Sequence, residues 1–480
     1  MLSDQQILPF SDQQVVPEKI STPGKVAAVP NGWAHQIWGE VAKDSSSSDT
    51  FERRSKAFER FTSFGWPRGD DENWKYTSLD AVKRASLLLA PAYQIVQGDS
   101  SEKFSKVCKD RFGVDLFDEQ TVAARIVFIN GRFIPEYAFS DSSEVQISCS
   151  PGPVQEVTLI RHPGEHHYDP SFGALGSLNE ALNNGTVKIA ISRNAKVNHP
   201  IEVVNIATAV GAKSSSYAVF PRLTIEAQSG CEVTIVERFS SSSEHEYLTC
   251  AYTEVSALGN SKVSVLKVQQ ESAAAFHWQA HNIRLERDAS CTITTLSLGG
   301  SLVRNEILGA IEGSNSHLKL YGLTVADGSQ HVDNNTTIDH AVPYCDSTEL
   351  YKGVYGDKST GVFGGTIIVR PGAQKTNAMQ SNNAVLLSEL ATFNTRPQLK
   401  IWADDVKCSL GATLGQIDEQ ALFYLMTRGI SRKIALAMVT HAFVCEVFKG
   451  ISEPELRRWV EPLVATRLRG IVGEIISDHE

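Results

Sequence analysis

Potential metal and sulfur ligands are concentrated in one part of the chain, residues 331–415. This segment is rich in glycine and asparagine and holds nine side chains that can ligate a metal, move a proton or react as a thiol: His331, Asp333, His340, Cys345, Lys352, Lys375, Asp404, Asp405 and Cys408. Cys345 and Cys408 are candidate soft-metal or sulfur-handling thiols, and His340 is a candidate ligand or a hydrogen-bonded buried imidazole. A buried structural role is favoured for a lone histidine or cysteine. The segment alone therefore nominates residues without defining a reaction.

Short motifs for a complete metal site do not accompany these residues. The chain has no CxxC and no HExxH, so no complete local zinc or iron–sulfur site is predicted. Its eight cysteines are too sparse for a disulfide scaffold and stand at positions 108, 149, 231, 250, 291, 345, 408 and 445. Any metal chemistry must be assembled from distant segments or shared with another chain.

Other catalytic motifs fail in their details. Residues 354–361 (VYGDKSTG) superficially resemble a phosphate-binding loop, but Asp357 stands where that loop needs glycine, and a carboxylate there would repel phosphate. The GxSxG motif of nucleophile-elbow hydrolases is missing. Asp404 and Asp405 suggest a polysaccharide-acting β-helix, but adjacent strand residues point to opposite faces, so a solvated or structural pair is favoured.

Composition limits the class of protein. The 480 residues include 45 Lys and Arg against 55 Asp and Glu, for a net charge of −10, and this acidic balance without a basic cluster argues against nucleic-acid binding. No run approaches the roughly 20 apolar residues that a membrane span requires. Residues 1–20 lack the features of a secretion signal or transit peptide. We expect a cytoplasmic protein or, alternatively, the mature form of a plastid stromal protein.

A repeat after residue 225 indicates the fold. A turn of small residues leads into an alternating strand whose first apolar positions, Val233, Val263 and Ile293, are evenly spaced, and a further copy begins after a slightly shorter interval at Leu318. The strands just upstream repeat in step at Ile225, Val255 and Leu285. Two strands in each repeat unit predict a β-solenoid whose open ends need covers from the helical regions or a partner, and the alternative is an ordinary β-sandwich.

The chain divides into four predicted parts. Residues 1–50 have the proline and serine content of a flexible segment, 51–124 form an N-terminal helical region, 125–416 the β-helix core and 417–480 a C-terminal helical domain. Asp418 and Ser431 are predicted caps of the first two C-terminal helices, and residues 452–455 (SEPE) a capping box for the third.

Motifs in and around the ligand-rich segment closely resemble the SufB/SufD family of iron–sulfur cluster assembly proteins. They are TIDH at 337–340, CDS at 345–347 with Lys352, AQKT at 373–376, QSNN at 380–383, LL at 386–387, PQLKI at 397–401, ADDVKCS at 403–409 and FYLMTRGI at 423–430. Upstream, ENWKYT at 72–77 and FINGRF at 128–133 resemble the SufD branch, which the lack of SufB-type cysteine motifs also favours.

The resemblance implies a right-handed parallel β-helix flanked by N-terminal and C-terminal helical regions. It further implies a non-catalytic scaffold subunit that pairs with a SufB-like paralogue through the β-helices and docks a SufC-like ABC ATPase through the C-terminal helices. The chain then needs no ATP site of its own, and it handles a transient iron–sulfur cluster at the subunit interface. We expect no nucleic-acid or membrane partner. The alternatives are a carbohydrate-active β-helix enzyme and a metal-independent β-solenoid interaction module.

By position, Cys408 matches the family cysteine near the subunit interface that is associated with cluster building, and it is the one predicted metal ligand. The family usually reads CSHGAT, whereas residues 408–413 here read CSLGAT, so Leu410 replaces the histidine regarded as an interface ligand. Leucine cannot bind iron. Either the paralogue and Cys408 carry the ligation, another side chain substitutes, or the chain serves mainly as a structural and ATPase-docking subunit. Positions 408 and 410 share one strand face because side chains alternate along a strand.

Overall fold

The computed structural model describes residues 32–43, 48–95, 101–150, 170–209, 216–242, 244–415 and 419–472. The α-helices are α1 Trp33–Val41, α2 Ser48–Phe64, α3 Asp80–Arg84, α4 Ser101–Val107, α5 Pro170–Leu182, α6 Glu419–Thr427, α7 Arg432–Cys445 and α8 Pro454–Val472. Short 3-10 turns lie at Glu72–Trp74, Glu119–Thr121, Pro135–Tyr137 and Glu446–Gly450, and a π-helical turn at Cys108–Phe112.

The β-strands are β1 Leu88–Leu89, β2 Ala124–Ile129, β3 Arg132–Phe133, β4 Phe139–Ser140, β5 Val145–Ser150, β6 Thr186–Ile191, β7 Ile201–Ala207, β8 Tyr217–Val219, β9 Arg222–Ala227, β10 Glu232–Ser241, β11 Tyr247–Ala257, β12 Lys262–Gln270, β13 Phe276–Leu285, β14 Ser290–Ser297, β15 Leu302–Ile311, β16 His317–Ala326, β17 His331–His340, β18 Asp346–Tyr355, β19 Thr360–Val369, β20 Asn377–Leu386, β21 Thr392–Ile401 and β22 Lys407–Gly415.

From β9 to β22, consecutive strands alternate between two sheets, which is the arrangement of a solenoid. Sheet A follows the order β21-β19-β17-β15-β13-β11-β9-β6-β5, and sheet B the order β22-β20-β18-β16-β14-β12-β10-β7-β2-β3. Pairing within residues 201–415 is parallel from coil to coil, in about seven turns. The predicted parallel β-solenoid with helical regions at both ends of the chain is confirmed.

The register of the repeat differs from the sequence prediction in one coil. Val233 pairs with Val263 and Ile225 with Val255, as the even spacing of the repeat predicted. The partner of Val263 in the next coil is Cys291, which precedes the predicted Ile293 by one step of the alternation. Likewise, Val255 pairs with Ile283 and not with Leu285. Side chains alternate along a strand with a period of two, so a shift of the pairing register by two residues keeps the same side chains inward. The apolar pattern therefore could not reveal this error.

One corner of each coil is built by a left-handed residue. These residues have positive φ angles and form a column down the solenoid: Asn194, Gly230, Asn260, Asp288, Asn315, Tyr344 and Lys375. Each donates its backbone N–H to a carbonyl of the next coil, as Asn260 does to Arg287 at 2.9 Å and Tyr344 to Gln374 at 3.0 Å. Glycine and asparagine tolerate this conformation, so the small-residue turns of the repeat are these corners.

The helical regions cover the faces of the sheets. Helices α1, α2 and α5 pack on the outer face of sheet A, and α8 packs on sheet B with Val460 and Val464 fully buried against Leu266 and Leu296. Among the described residues, neither a further strand nor a helix packs on the end of the solenoid at β21 and β22. Of the two expected covers, helical regions or a partner, the described helices do not supply the one at this end.

Helix α1 lies inside the stretch for which proline and serine content predicted flexibility. Its buried side chains Trp33, Ala34, Ile37 and Val41 recur at helical spacing, and the Trp33 indole donates to the Val82 carbonyl at 2.9 Å. The composition of the whole stretch concealed this short amphipathic pattern. Residues 1–31 and 44–47 lie outside the described residues. Among the helices that the structure describes, none is long and apolar enough to cross a membrane.

The C-terminal helices begin close to the predicted points. The Ser431 hydroxyl accepts from the Ile434 N–H at 3.4 Å and caps α7 as predicted. Asp418 lies outside the described residues. The predicted capping box does not form, because α8 starts at Pro454 and Ser452 donates to the carboxylate of Glu453 at 2.8 Å instead.

Candidate functional site

The last coil, formed by β21 and β22, is an open end of the solenoid. β21 pairs only with β19, and β22 only with β20, among the strands that the structure describes. β22 is exposed along its whole length except at Cys408. Lys407 donates its N–H to the Thr376 carbonyl at 2.8 Å. Because alternate residues of a parallel strand bond to opposite neighbours, the N–H groups of residues 408, 410, 412 and 414 face the free edge.

Cys408 is the thiol of this coil. It lies beside Ala378 in register and packs, half-buried, on the small apolar cluster of Ile367, Val369 and Ala403. Desolvation by these neighbours raises the pKa of the thiol above its usual value. A protonated thiol is a poor metal ligand, and a nearby cation or a metal ion favours the thiolate form of such a cysteine.

Leu410 follows Cys408 on the same inward face. It pairs with Gln380 of the previous coil and remains 37% exposed because no further coil covers it. An apolar side chain at this place offers no ligand atom. The open coil therefore supplies one soft ligand, Cys408, where a four-coordinate iron site needs three more.

A buried carboxyl group lies two strands below Leu410. Glu349 pairs in register with Gln380, whose amide donates to the Glu349 carboxylate, and the Thr336 side chain is a second polar neighbour of this carboxylate. Complete burial raises the pKa of Glu349 to about 7. Gly365 makes room for this pair, since a Cβ there would lie 2.2 Å from the Gln380 amide nitrogen. Glu349 was not among the predicted site residues.

The predicted histidines lie away from the open coil. The His331 ring is 2.9 Å from the Thr77 hydroxyl, which donates to Asp333 at 2.5 Å. His340 is fully buried 2.9 Å from the Ser347 hydroxyl, and burial lowers its pKa to about 4. His340 is thus a neutral, hydrogen-bonded imidazole in the core, the structural role favoured for a lone histidine.

The other predicted residues also have local partners. Cys345 is buried and its thiol lies 3.4 Å from two main-chain carbonyls. Lys352 donates to a main-chain carbonyl of α7 at 3.0 Å. Asp404 and Asp405 lie in the exposed corner after β21, where Asp405 forms an ion pair with Lys375. These side chains do not converge with Cys408, and no group of three or more metal-ligating residues exists in the described ranges.

The upstream motif ENWKYT attaches the N-terminal region to the last coils. Glu72 accepts from Gln398 of β21 at 2.7 Å and pairs with Arg396 at 3.1 Å. The guanidinium of Arg304 lies 3.8 Å above the Trp74 ring, a close cation–π contact. This motif therefore fixes β21, one of the two strands at the open end of the solenoid.

A buried polar cluster inside the solenoid was missed by the sequence prediction. The Lys267 ammonium donates to Asn305 at 2.6 Å and lies 2.8 Å from the His277 ring, whose other nitrogen is 2.6 Å from Glu271. Desolvation lowers the pKa of Lys267 to about 7. The sequence did contain a signal for this cluster. Val263 and Val265 point inward, and the same alternation places the next residue of that face, Lys267, inside the solenoid.

Helices α6 and α7 present apolar side chains to solvent. Phe423 is 68% and Tyr424 58% exposed, and Met426 and Met438 are also exposed. Large exposed apolar groups that lie together typically mark an interaction surface. This surface belongs to the predicted ATPase-docking helices.

Fold and site together define a class: a parallel β-solenoid with an open terminal coil, one thiol at that coil and a C-terminal helical pair with exposed apolar side chains. The family described as SUF system FeS cluster assembly, SufBD core domain, matches residues 206–443. The chain belongs to this SufBD family of the SUF system for iron–sulfur cluster assembly, as the motifs predicted.

Three full-length relatives agree with this. The chain is 27% identical to iron-sulfur cluster assembly protein SufD of Escherichia coli over 93% of this chain and 99% of the relative. It is 26% identical to a SufBD family protein of Synechocystis, slr0076, over 90% of this chain and 94% of the relative. It is 27% identical to Protein ABCI7, chloroplastic, of Arabidopsis thaliana over 88% of this chain and 87% of the relative. The chain is thus SufD-like over most of its length.

Proposed function

We propose that this chain is a non-catalytic scaffold subunit of a SufB–SufC–SufD-type complex. It pairs with a SufB-like paralogue through the last coil of the solenoid and docks a SufC-like ABC ATPase through α6 and α7. ATP energy comes from that partner and is transmitted as a rearrangement of the paralogue interface. The chain acts in the cytoplasm or, in a plastid-containing source, in the stroma.

The observation that carries the proposal is the free edge of β21 and β22. A long unpaired strand edge is a template for pairing with another chain, and natural proteins usually protect such edges. Here the edge is flanked by the exposed side chains of Trp402 and Leu414, which a partner would bury. A second solenoid added at this edge would continue both sheets and satisfy their main-chain groups.

The edge can be tested with one residue. Ala412 has its N–H on the free edge, so Ala412→Pro removes a donor for the partner and leaves the bonds between β20 and β22 in place. Ala412→Val is the matched control, because it keeps the N–H and favours a strand. We expect Ala412→Pro to abolish co-purification with the SufB-like paralogue and Ala412→Val to retain it. Equal retention by both variants would exclude edge pairing.

ATPase docking rests on the apolar surface of α6. Deleting residues 417–480 is an unsuitable test, because it also removes α8 and uncovers sheet B. Phe423→Glu places a charge on the docking surface of the full chain, and Phe51→Glu, on the exposed face of α2, is the control. We expect the first variant alone to lose the SufC-like ATPase on pull-down. Undiminished binding by Phe423→Glu would contradict the assignment.

We propose that Cys408 donates one ligand to a transient iron–sulfur cluster built at the paralogue interface. The cluster is the cargo of the complex, and the lone thiol of the open coil supports a site completed across chains. With Leu410 beside it, the remaining ligands come from the paralogue. Cluster formation in the isolated chain should therefore be slight whether or not Cys408 is present.

A further inference from the structure

A polar groove of about 650 Å³ lies between the outer face of sheet B and the start of the C-terminal helix α8. It is distant from the last coil, since its floor is formed by the early strands β10, β12, β14 and β16 and by the turn before β7. No step of the proposed scaffold function uses it.

The floor of the groove is set by the register of the coils. Thr234, Ser264 and Thr292 pair in succession, so their hydroxyl groups form a column with one hydroxyl per coil. In the neighbouring column, Lys262 pairs with Glu232. Coils repeat at about 4.8 Å, so a floor of five coils from Lys196 to Lys319 extends for roughly 19 Å.

The wall of the groove opposite this floor is formed by residues 449–453, which lead into α8 and are held against the sheet. A Cβ on Gly450 would lie 2.4 Å from the Tyr321 ring, so only glycine permits this close approach. The Glu453 carboxylate accepts from the Thr234 hydroxyl and from Ser452, which fastens the start of α8 across the floor. Lys449 of this wall lines the groove opposite the hydroxyl column.

Carboxylates already bind in this groove in two ways. Glu232 bridges Lys196 at 3.0 Å and Lys262 at 3.9 Å, and Glu453 is bound by hydroxyl groups. Lys319, at the far end of the floor, is exposed and has no hydrogen bond or ion pair with any described residue. The groove therefore offers hydroxyl donors and an unneutralised cation to a further carboxylate.

We propose that this groove binds an extended acidic peptide segment of a partner protein. A volume of about 650 Å³ spread over roughly 19 Å is long and narrow, which suits an extended chain of about six residues better than a compact molecule. Lys196, Lys262 and Lys319 follow one another at intervals of about 10 Å. Lys196 and Lys262 share the single carboxylate of Glu232 and Lys319 has no acidic partner among the described residues, so the row keeps a net positive charge that attracts carboxylates along such a segment.

The test uses the full-length chain and a fluorescein-labelled peptide of alternating glutamate and serine, followed by fluorescence anisotropy. Lys262→Glu combined with Lys319→Glu should raise the dissociation constant about tenfold or more, because the groove then repels the peptide. Lys358→Glu, on an exposed corner of a distant coil, should leave it unchanged. Glu453→Gln, which removes a resident carboxylate, should tighten binding.

Three outcomes would overturn the proposal. They are no saturable binding of the acidic peptide, equal weakening by Lys358→Glu, and equal binding of a peptide of alternating lysine and serine. Displacement of the peptide by low concentrations of inorganic pyrophosphate, with tighter binding of pyrophosphate itself, would replace the peptide by a small oxyanion. Loss of the SufB-like paralogue or the ATPase does not enter this assay, so its failure is separate from failure of the scaffold function.

Discussion

Glu349, buried beneath the open coil, makes the stability of the chain depend on pH. Burial raises its pKa from 4.5 to about 7, since the folded protein desolvates the carboxylate while the unfolded chain does not. The folded state therefore holds a proton that the unfolded state has released. The contribution of the protonated Glu349 to the free energy of unfolding is fully present below pH 4.5 and is lost as the pH rises through about 7.

The magnitude follows from the two pKa values. One pKa unit corresponds to about 1.36 kcal/mol, so a rise from 4.5 to about 7 limits the effect to roughly 3 kcal/mol. Between about pH 5.5 and about pH 8, linkage removes about 2 kcal/mol of this contribution. Glu349→Gln has nearly the shape of the protonated acid and does not titrate, so the variant should lose this part of the pH dependence.

The assay is urea unfolding of the full chain at about pH 5.5 and about pH 8, followed by tryptophan fluorescence. We expect the difference in unfolding free energy between Glu349→Gln and the natural chain to move by about 2 kcal/mol in favour of the variant at the higher pH. Glu389→Gln, at an exposed position of the neighbouring corner, is the control and should show no such movement. A difference for Glu349→Gln that stays constant with pH would refute the reasoning.

Three further predictions concern other parts of the molecule. Cys408→Ser should reduce the iron and sulfide content of the reconstituted complex and leave the isolated chain unaffected, and an unchanged cluster yield in the complex would make the thiol structural. Tyr344→Asn should raise unfolding stability by about 1 kcal/mol, because the exposed tyrosine has a left-handed backbone that asparagine tolerates; a lower melting temperature would contradict this. Gly450→Ala should cost about 1–3 kcal/mol and lower the melting temperature, because its methyl group collides with the Tyr321 ring, and an unaltered melting temperature would show that the wall is mobile.

The coil architecture was predictable because local patterns specify it. Alternation around Val233 and Val263 identified inward positions, and the small residues before each strand identified the corners. The register error at Cys291 arose because a period of two cannot distinguish neighbouring inward positions. The spacing between coils is set by the length of the corners, which differs from one coil to the next without changing the apolar pattern.

The candidate site was predictable only in part. The position of Cys408 came from its motif, and alternation correctly placed Leu410 on the same face. Glu349 escaped notice because its neighbour in the next coil, Gln380, is 31 residues away in sequence. The groove at Lys319 was equally hidden, since it arises where α8 begins against strands from a much earlier part of the chain. Such sites depend on packing between distant segments, which spacing alone does not encode.

We propose that the open coil of this chain joins it to a SufB-like paralogue in an iron–sulfur cluster assembly complex. Anaerobic purification from the native source, with identification of the bound chains and analysis of iron and sulfide, tests this pairing most directly. The expected result is a complex containing a SufB-like chain, a SufC-like ATPase, iron and sulfide. Recovery of this chain without either protein would contradict the claim.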